Sequence, residues 1–261
     1  MSELVVKGMM KHFGGVKAVD GIDLTARSGE ILSIIGPNGA GKTTVFNILT
    51  GFYTPDAGTM DFDGNSLVGL LPNQVTALGI SRTFQAVRLF ANMTVLENAM
   101  VGQHCRTHSG ITGAVLGLPK TRREEKAIED KARECLRFFG KRLTGGREHQ
   151  LAASLSYADR RRLEIARAMA TEPKLLLLDE PAAGFTPKEK DEIVELIGRL
   201  RDERGYAIIL IEHDMPVVKN VSDRVLALDY GKKIAEGSYA DVAGNERVIE
   251  AYLGARHKES A

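Results

Sequence analysis

Cysteine, net charge and long apolar runs are all scarce in this chain, and each scarcity excludes a class of protein. Cys105 and Cys135 are the two cysteines among 261 residues, in neither a CxxC pair nor a Cys/His cluster. That pattern fits reduced thiols in the cytosol and not a disulfide-stapled secreted scaffold. Lysine plus arginine (35) nearly cancel aspartate plus glutamate (34), for a formal charge of +1. No global field therefore exists for coating nucleic acid or an anionic bilayer, so a membrane role must come from docking to a partner. The longest unbroken apolar runs, such as LLLL at 175–178, fall far short of the ~20 residues needed to cross a bilayer. The chain is expected to be soluble by itself. Its start, MSELVVKGMMKHF, has no basic segment followed by an apolar stretch and a small-residue cleavage site, which points away from secretion. Internal repeats and low-complexity tracts are missing too, which excludes two units fused in tandem.

The 43% apolar content over this length is enough to bury a full core in one domain, or in one domain carrying a subdomain. The opening third reads as short apolar strands punctuated by glycine: LVVKGMM, AVDGIDLTA, EILSIIG and GTMDFDG. From about residue 93 to 170 the pattern becomes charged and helical. In TRREEKAIEDKARECLRFFG, residues Ile128, Ala132, Cys135, Leu136 and Phe139 can share one face. The last third returns to strand, helix, strand, with KLLLLDE, PKEKDEIVELIGRLRDERG, YAIILIEHD and DRVLALDYGKKIAEG. Continuous apolar strands joined by helices predict a buried parallel sheet. The apolar, glycine-rich SGITGAVLGLP at 109–119 reads as a buried segment or plain loop, with a role near a membrane as the other reading.

Chemistry concentrates in two motifs. EILSIIGPNGAGKTTVFNILTG places a strand, then Gly36, Pro37, Asn38, Gly39, Ala40, Gly41, Lys42, Thr43 and Thr44, then a helix. This is GxxxxGK[ST] in its strand–loop–helix context. Glycines let backbone N–H groups turn inward around phosphates, and the helix start adds its positive end. Lys42 is placed to bridge the β- and γ-phosphates of ATP, and Thr43 to offer its hydroxyl to Mg²⁺. The second motif is LLLLDEP, which ends a buried strand on Asp179 and Glu180. Asp179 is expected in the Mg²⁺ shell, and Glu180 is expected to orient the attacking water or take its proton.

These motifs, with Phe13 ahead of the loop, Gln85 in SRTFQAVRLF, the segment LSYADRRRLEIARAM and His213 in LIEHDM, resemble the ATP-binding cassette (ABC) ATPases over nearly the whole chain. The resemblance implies an α/β P-loop NTPase: a RecA-like parallel-sheet core, an N-terminal antiparallel β subdomain and an inserted helical subdomain. One ABC ATPase domain would span 1–261, with the helical insert at about 93–170 and a short C-terminal tail at 236–261. It further implies that Phe13 stacks on adenine, that Gln85 touches Mg²⁺ and senses the membrane partner, and that His213 contacts the γ-phosphate. Lys42, Glu180 and His213 would be the catalytic set. Two cassettes would face each other head to tail, a second ABC ATPase or a second copy of this chain, each lending Ser156 to ATP on the other.

DEPAAGFTPKE, LIEHDM and VIEAYLG resemble the longer of the paired ATPases of branched-chain amino-acid importers. The expected role is therefore ATP hydrolysis for an importer of branched-chain or related apolar amino acids or amides. Its partners would be two permease subunits and, indirectly, an extracytoplasmic substrate-binding protein, with no nucleic acid. It would sit peripherally on the cytoplasmic face of the inner (plasma) membrane. The ATPase of lipopolysaccharide export and a non-transport ABC regulator are the alternatives, though a regulator usually carries two cassettes in one chain. A DNA-repair ATPase would need a long coiled coil, and sustained heptads are missing here.

Two positions depart from the family pattern. After Ser156 the segment usually has glycine and then glutamine, whereas Tyr157, Ala158 and Asp159 follow here. Ala158 is expected to crowd a phosphate oxygen and Asp159 to repel it, unless Asp159 reaches back to the Ser156 N–H in a capping box. Thr186 stands where many relatives have aspartate and the importer subfamily asparagine.

Overall fold

The computed structural model describes residues 2–107 and 119–258. The apolar stretch 109–119 lies, apart from Pro119, outside the described residues. The chain divides into two compact units, one of residues 1–75 and 174–261 and one of residues 76–173.

The first unit begins with β1 (Glu3–Phe13), β2 (Val16–Arg27), β3 (Ile31–Ile35), α1 (Lys42–Leu49), β4 (Ala57–Phe62) and β5 (Asn65–Ser66), before α2 (Pro72–Leu78) leads out of it. β2, β1, β4 and β5 form an antiparallel sheet in that order. Alternation drives it: Leu4, Val6 and Met9 of β1 are buried while Lys7 between them is exposed. In the second unit β6 (Ile80–Arg82), α3 (Val95–Val101), α4 (Pro119–Arg137) and α5 (Tyr157–Ala170) follow. The chain then returns to the first unit through β7 (Leu175–Asp179), α6 (Pro187–Arg204), β8 (Ala207–Ile211), α7 (Met215–Val221), β9 (Arg224–Asp229), β10 (Lys232–Gly237), α8 (Tyr239–Ala243) and α9 (Glu246–Lys258).

Every residue of β3, β7 and β8 is buried, as strands covered on both faces must be. Within the first unit the order is β10-β9-β3-β8-β7, parallel except for the edge strand β10. α6 makes the crossover from β7 to β8. Thr186 caps it with Glu189 in a capping box, Pro187 starts it, and Gly205 ends it at φ +65°. Its buried stripe is Ile193, Leu196, Ile197 and Leu200, the 3.6-residue period of a one-sided helix. Ile34 and Asp179 both pair with Ile211, so the ends of β3, β8 and β7 lie side by side.

In the second unit, Ala132, Cys135 and Leu136 of α4 are buried as the periodicity predicts. Ile128 is only half-buried, and Phe139 is buried beyond the helix end. α5 buries even Arg161, whose guanidinium donates to the carbonyl of Gln85 at 2.7 Å and to Glu164 at 2.9 Å. The turn after α3 meets α5 backbone to backbone at Gly102. A Cβ there would stand 2.3 Å from the Arg167 carbonyl oxygen and 2.8 Å from the Ala170 methyl. Gly102→Ala is accordingly expected to destabilise the protein by about 1–3 kcal/mol through forced separation of the packed helices, measured as a lowered midpoint in urea unfolding.

Candidate active site

Three loops leave the aligned strand ends of the first unit, and between them they carry the residues singled out above. β3 runs into the glycine-rich loop 36–41, β7 into Asp179–Glu180, and β8 into Glu212–His213. The crevice beyond the carboxyl ends of parallel strands is where α/β sheets bind ligands.

The loop is folded as a phosphate cradle. Gly41 adopts φ +101°, and a Cβ on it would lie 2.3 Å from the Ala18 carbonyl oxygen. Only glycine combines that backbone with that approach. The Ala40 carbonyl accepts from the Gly231 N–H at 3.0 Å, and the Gly231 carbonyl accepts from the Asp20 N–H at 2.8 Å, so strand-end backbone braces the loop. Lys42 is buried, and its Nζ donates to the carbonyls of Gly36 (2.7 Å) and Pro37 (2.9 Å). Burial pushes its ammonium below the ordinary lysine range, opposed by the charges of Glu180 and Asp179. An ammonium has three donors, so two hold the loop and one remains to meet a phosphate oxygen. Asn38, Gly39 and Thr43 are exposed, Pro37 and Thr44 half-buried. The cradle and its buried cation fit a nucleotide polyphosphate.

Asp179 is buried at the last position of β7. Glu180 follows with φ +47°, a left-handed conformation that non-glycine residues adopt at a cost of about 1–2 kcal/mol. Its N–H donates to Ile211 O at 2.9 Å. Its carboxylate lies 3.0 Å from Nε2 of His213, whose side chain is 37% exposed. Burial and then the positive charge of Lys42 push the His213 imidazole below its ordinary value, against the pull of Glu180 and Asp179. That shift favours the neutral form, and Nε2 is the ring nitrogen that faces Glu180.

Phe13 is exposed at the end of β1, with its ring 5.2 Å from that of Tyr53 in an edge-to-face arrangement. The Tyr53 N–H donates to Asn47 O in α1, so the pair is tied to the helix that follows the phosphate loop. Gln85 and Ser156 belong to the second unit. Gln85 is exposed, with its carbonyl held by Arg161. Ser156 caps α5, its Oγ accepting from the Asp159 N–H at 3.1 Å.

The segment 156–159 corrects the expectation of charge meeting charge. Asp159 is 3% exposed, and its carboxylate is paired with Arg162 at 3.0 Å and Arg147 at 3.2 Å. Those two guanidiniums neutralise the carboxylate, and it does not reach back to the Ser156 N–H. Ala158 is buried as well. Thr186, the second departure from the family pattern, serves as the N-cap of α6.

Two site residues escaped the sequence reasoning. Tyr252 of α9 accepts the Gly36 N–H at 2.8 Å, which docks the C-terminal segment onto the phosphate loop. Its signal was an aromatic four residues after Val248, a residue buried in the cluster with Ile35, Val218 and Val242. Glu212 adjoins His213 in LIEHDM and is 3% exposed, yet one charged residue beside a histidine is no signal by itself.

Comparison with known proteins agrees with this fold. The ABC transporter family model matches residues 19–183, and the model of the branched-chain amino acid ATP-binding cassette transporter matches residues 232–258. The chain is 47% identical over 251 residues to the high-affinity branched-chain amino acid transport ATP-binding protein LivG of Salmonella typhimurium, covering 96% of this chain and 97% of that one. It is 43% identical to BraF, described in the same words, of Pseudomonas aeruginosa, with the same coverage. Among solved structures, the ADP conformation of MJ1267, an ATP-binding cassette of an ABC transporter, superposes with a TM-score of 0.83 at 32% identity, covering 97% of this chain and 99% of that one. The dimeric cassette MJ0796 bound to ADP and Pi gives 0.74 at 25% identity, covering 90% and 98%.

Asp159→Ala would leave the buried Arg162 without this carboxylate, and a loss of about 3 kcal/mol is expected in chemical denaturation. The His213 ring gives a pH signature whose sign follows from its depressed value. Between that value and the ordinary 6.5 the unfolded chain binds more protons than the folded one, so this contribution is complete above 6.5 and is lost as pH falls. The wild-type thermal midpoint minus that of His213→Gln should therefore shrink from pH 7.5 to 5.5. A constant difference would show that the ring is not held neutral by the fold.

Proposed function

This chain belongs to the ABC transporter family of ATP-binding cassettes, and from that membership we propose that it is the ATP-hydrolysing subunit of a branched-chain amino-acid importer. The observation that carries the reading is the pairing of Glu180 with His213 at 3.0 Å, on loops adjoining the one that buries Lys42. The near full-length relatives named for branched-chain amino acid transport favour this reading over lipopolysaccharide export or a non-transport regulator.

Hydrolysis requires water to attack the γ-phosphate in line as ADP leaves. Lys42 and the backbone N–H groups at the start of α1 hold the phosphates and offset their charge. Glu180 orients the water and accepts its proton, and His213 steadies Glu180 and contacts the γ-phosphate. Thr43 and Asp179, both in the first unit, would hold Mg²⁺, which, when bound, neutralises charge developing on the phosphate oxygens. Phe13, braced by Tyr53, offers an aromatic face on which adenine can stack. Ser156, at the start of α5, serves ATP held by a facing cassette, either a second ABC ATPase or another copy of this chain. With Asp159 neutralised by two arginines, the altered segment retains the helix N-terminus that such a phosphate needs.

No helix among the described residues is long and apolar enough to cross a membrane. The chain works with permease subunits and reaches the inner face of the membrane through them, with an extracytoplasmic binding protein delivering the amino acid. The helical unit 76–173, with Gln85, is the part proposed to answer the permease.

Glu180→Gln should preserve Mg-ATP affinity while lowering turnover about 10²- to 10⁴-fold, because the phosphate cradle remains whole and proton acceptance is lost. Equilibrium titration with a fluorescent ATP analogue, alongside phosphate release, reads both. Turnover near the wild-type rate would remove Glu180 from its role.

A further inference from the structure

One buried acid lies beside the reacting groups and has no part in the chemistry described above. Glu212 follows the last residue of β8 and is 3% exposed. Its Oε1 accepts the Ala182 N–H at 2.9 Å. Its Oε2 accepts the N–H groups of His213 at 3.0 Å and Asp214 at 3.3 Å. A single side chain thus ties the turn after β7, which carries Glu180, to the loop after β8, which carries His213.

The choice of residue follows from acceptor chemistry. A carboxylate has two oxygens with about four lone-pair sites and no donor, so it can take three backbone N–H groups at once. A glutamine of the same shape would have to turn an NH₂ group toward one set of those donors and leave them unsatisfied in a buried place. Burial and the nearby charge of Glu180 push the Glu212 carboxyl above its ordinary range, and the three N–H donors oppose that. An acid kept buried so close to a second acid is unfavourable unless its position matters.

The conformation it holds is the one that most needs holding. Glu180 occupies the left-handed region at φ +47°, and the turn it begins is closed by Ala183 N–H donating to Glu180 O at 3.2 Å. Ala182, between them in that turn, gives its N–H to Glu212. The same carboxylate grips the backbone of His213, whose ring meets Glu180 at 3.0 Å. Strain at Glu180 and alignment at His213 therefore share one anchor.

We propose that Glu212 is a positioning residue for ATP hydrolysis, setting the geometry of Glu180 and His213 through the backbone of residues 182, 213 and 214. This inference rests on Glu180 being the water-activating group. The hydrogen bonds of Glu212 go to Ala182, His213 and Asp214 and not to the phosphate loop, so it should govern turnover and not nucleotide affinity.

The test uses the full-length chain combined with its permease subunits and compares Glu212→Gln, Glu180→Gln and the double variant. Glu212→Gln is expected to lower kcat about 10- to 100-fold, the effect of leaving a buried donor unsatisfied, with the Kd for Mg-ATP unchanged. Glu212→Asp, too short to span both loops, should lose a comparable factor. In single-turnover measurements the Glu212→Gln effect should vanish in the Glu180→Gln background, because the group being positioned is gone. Wild-type kcat in Glu212→Gln, or an equal and additive loss in both backgrounds, would overturn the proposal. Failure of both Glu212 variants to fold or to bind nucleotide would also overturn it, since the carboxylate would then be a fold element only. If Glu180→Gln itself turned over normally, the reading of Glu180 would fail first, and the two failures would be told apart.

Discussion

Parallel hydrogen bonding among β3, β8 and β7 is the constraint on which the site depends. All three strands are buried on both faces, so nothing about one-sided exposure fixes their register. The charges at their ends do. Asp179 ends β7 and Glu212 follows β8, the first acids after the apolar runs LLLL and AIILI, and a one-residue slip would carry an acid further into the sheet or push an apolar residue out. With Ile34 and Asp179 both opposite Ile211, three loops emerge at one level. Each brings a different chemistry: a cation in a backbone cradle, a carboxylate pair, and an imidazole beside a buried acid.

Electrostatics within the first unit follow from that convergence. Asp179 and Glu180 lie near enough to act on Lys42 and His213, and Glu180 on Glu212. Lys42 and His213 are pushed toward their neutral forms by burial, and the carboxylates pull both back. An added polyphosphate would bring further negative charge beside Lys42 and stabilise its ammonium. The site is thus arranged so that binding its ligand relieves the unfavourable burial of its cation.

The second unit shows how a change in a motif can be absorbed. Asp159 carries a charge into a segment thought to face phosphate, yet Arg162 and Arg147 hold it within the unit. Ser156 still caps α5. That cap is a bond to the backbone N–H of residue 159 and does not depend on the two altered side chains.

The strands of the first unit, the crossover helix and the phosphate loop were legible in the sequence, because each rests on local rules: apolar runs, caps, and glycines at obligatory turns. Asp179 and Glu180 were singled out from the end of an apolar run and His213 from the family resemblance, and the structure sets the His213 ring 3.0 Å from Glu180. What the sequence could not show was which backbone groups any buried side chain would meet. Glu212 and Tyr252 act on residues 30 and 216 positions away in the chain, and Asp159 is neutralised in part by Arg147, outside its own helix. Such partners are chosen by packing of elements distant in sequence, and a buried polar group must take whatever donor or acceptor that packing brings. Local periodicity and motif spacing determined the elements and the chemistry they carry. Tertiary structure alone decided which charges are neutralised and which backbone is held, because desolvation and hydrogen-bond geometry exist only once the strands have been laid side by side.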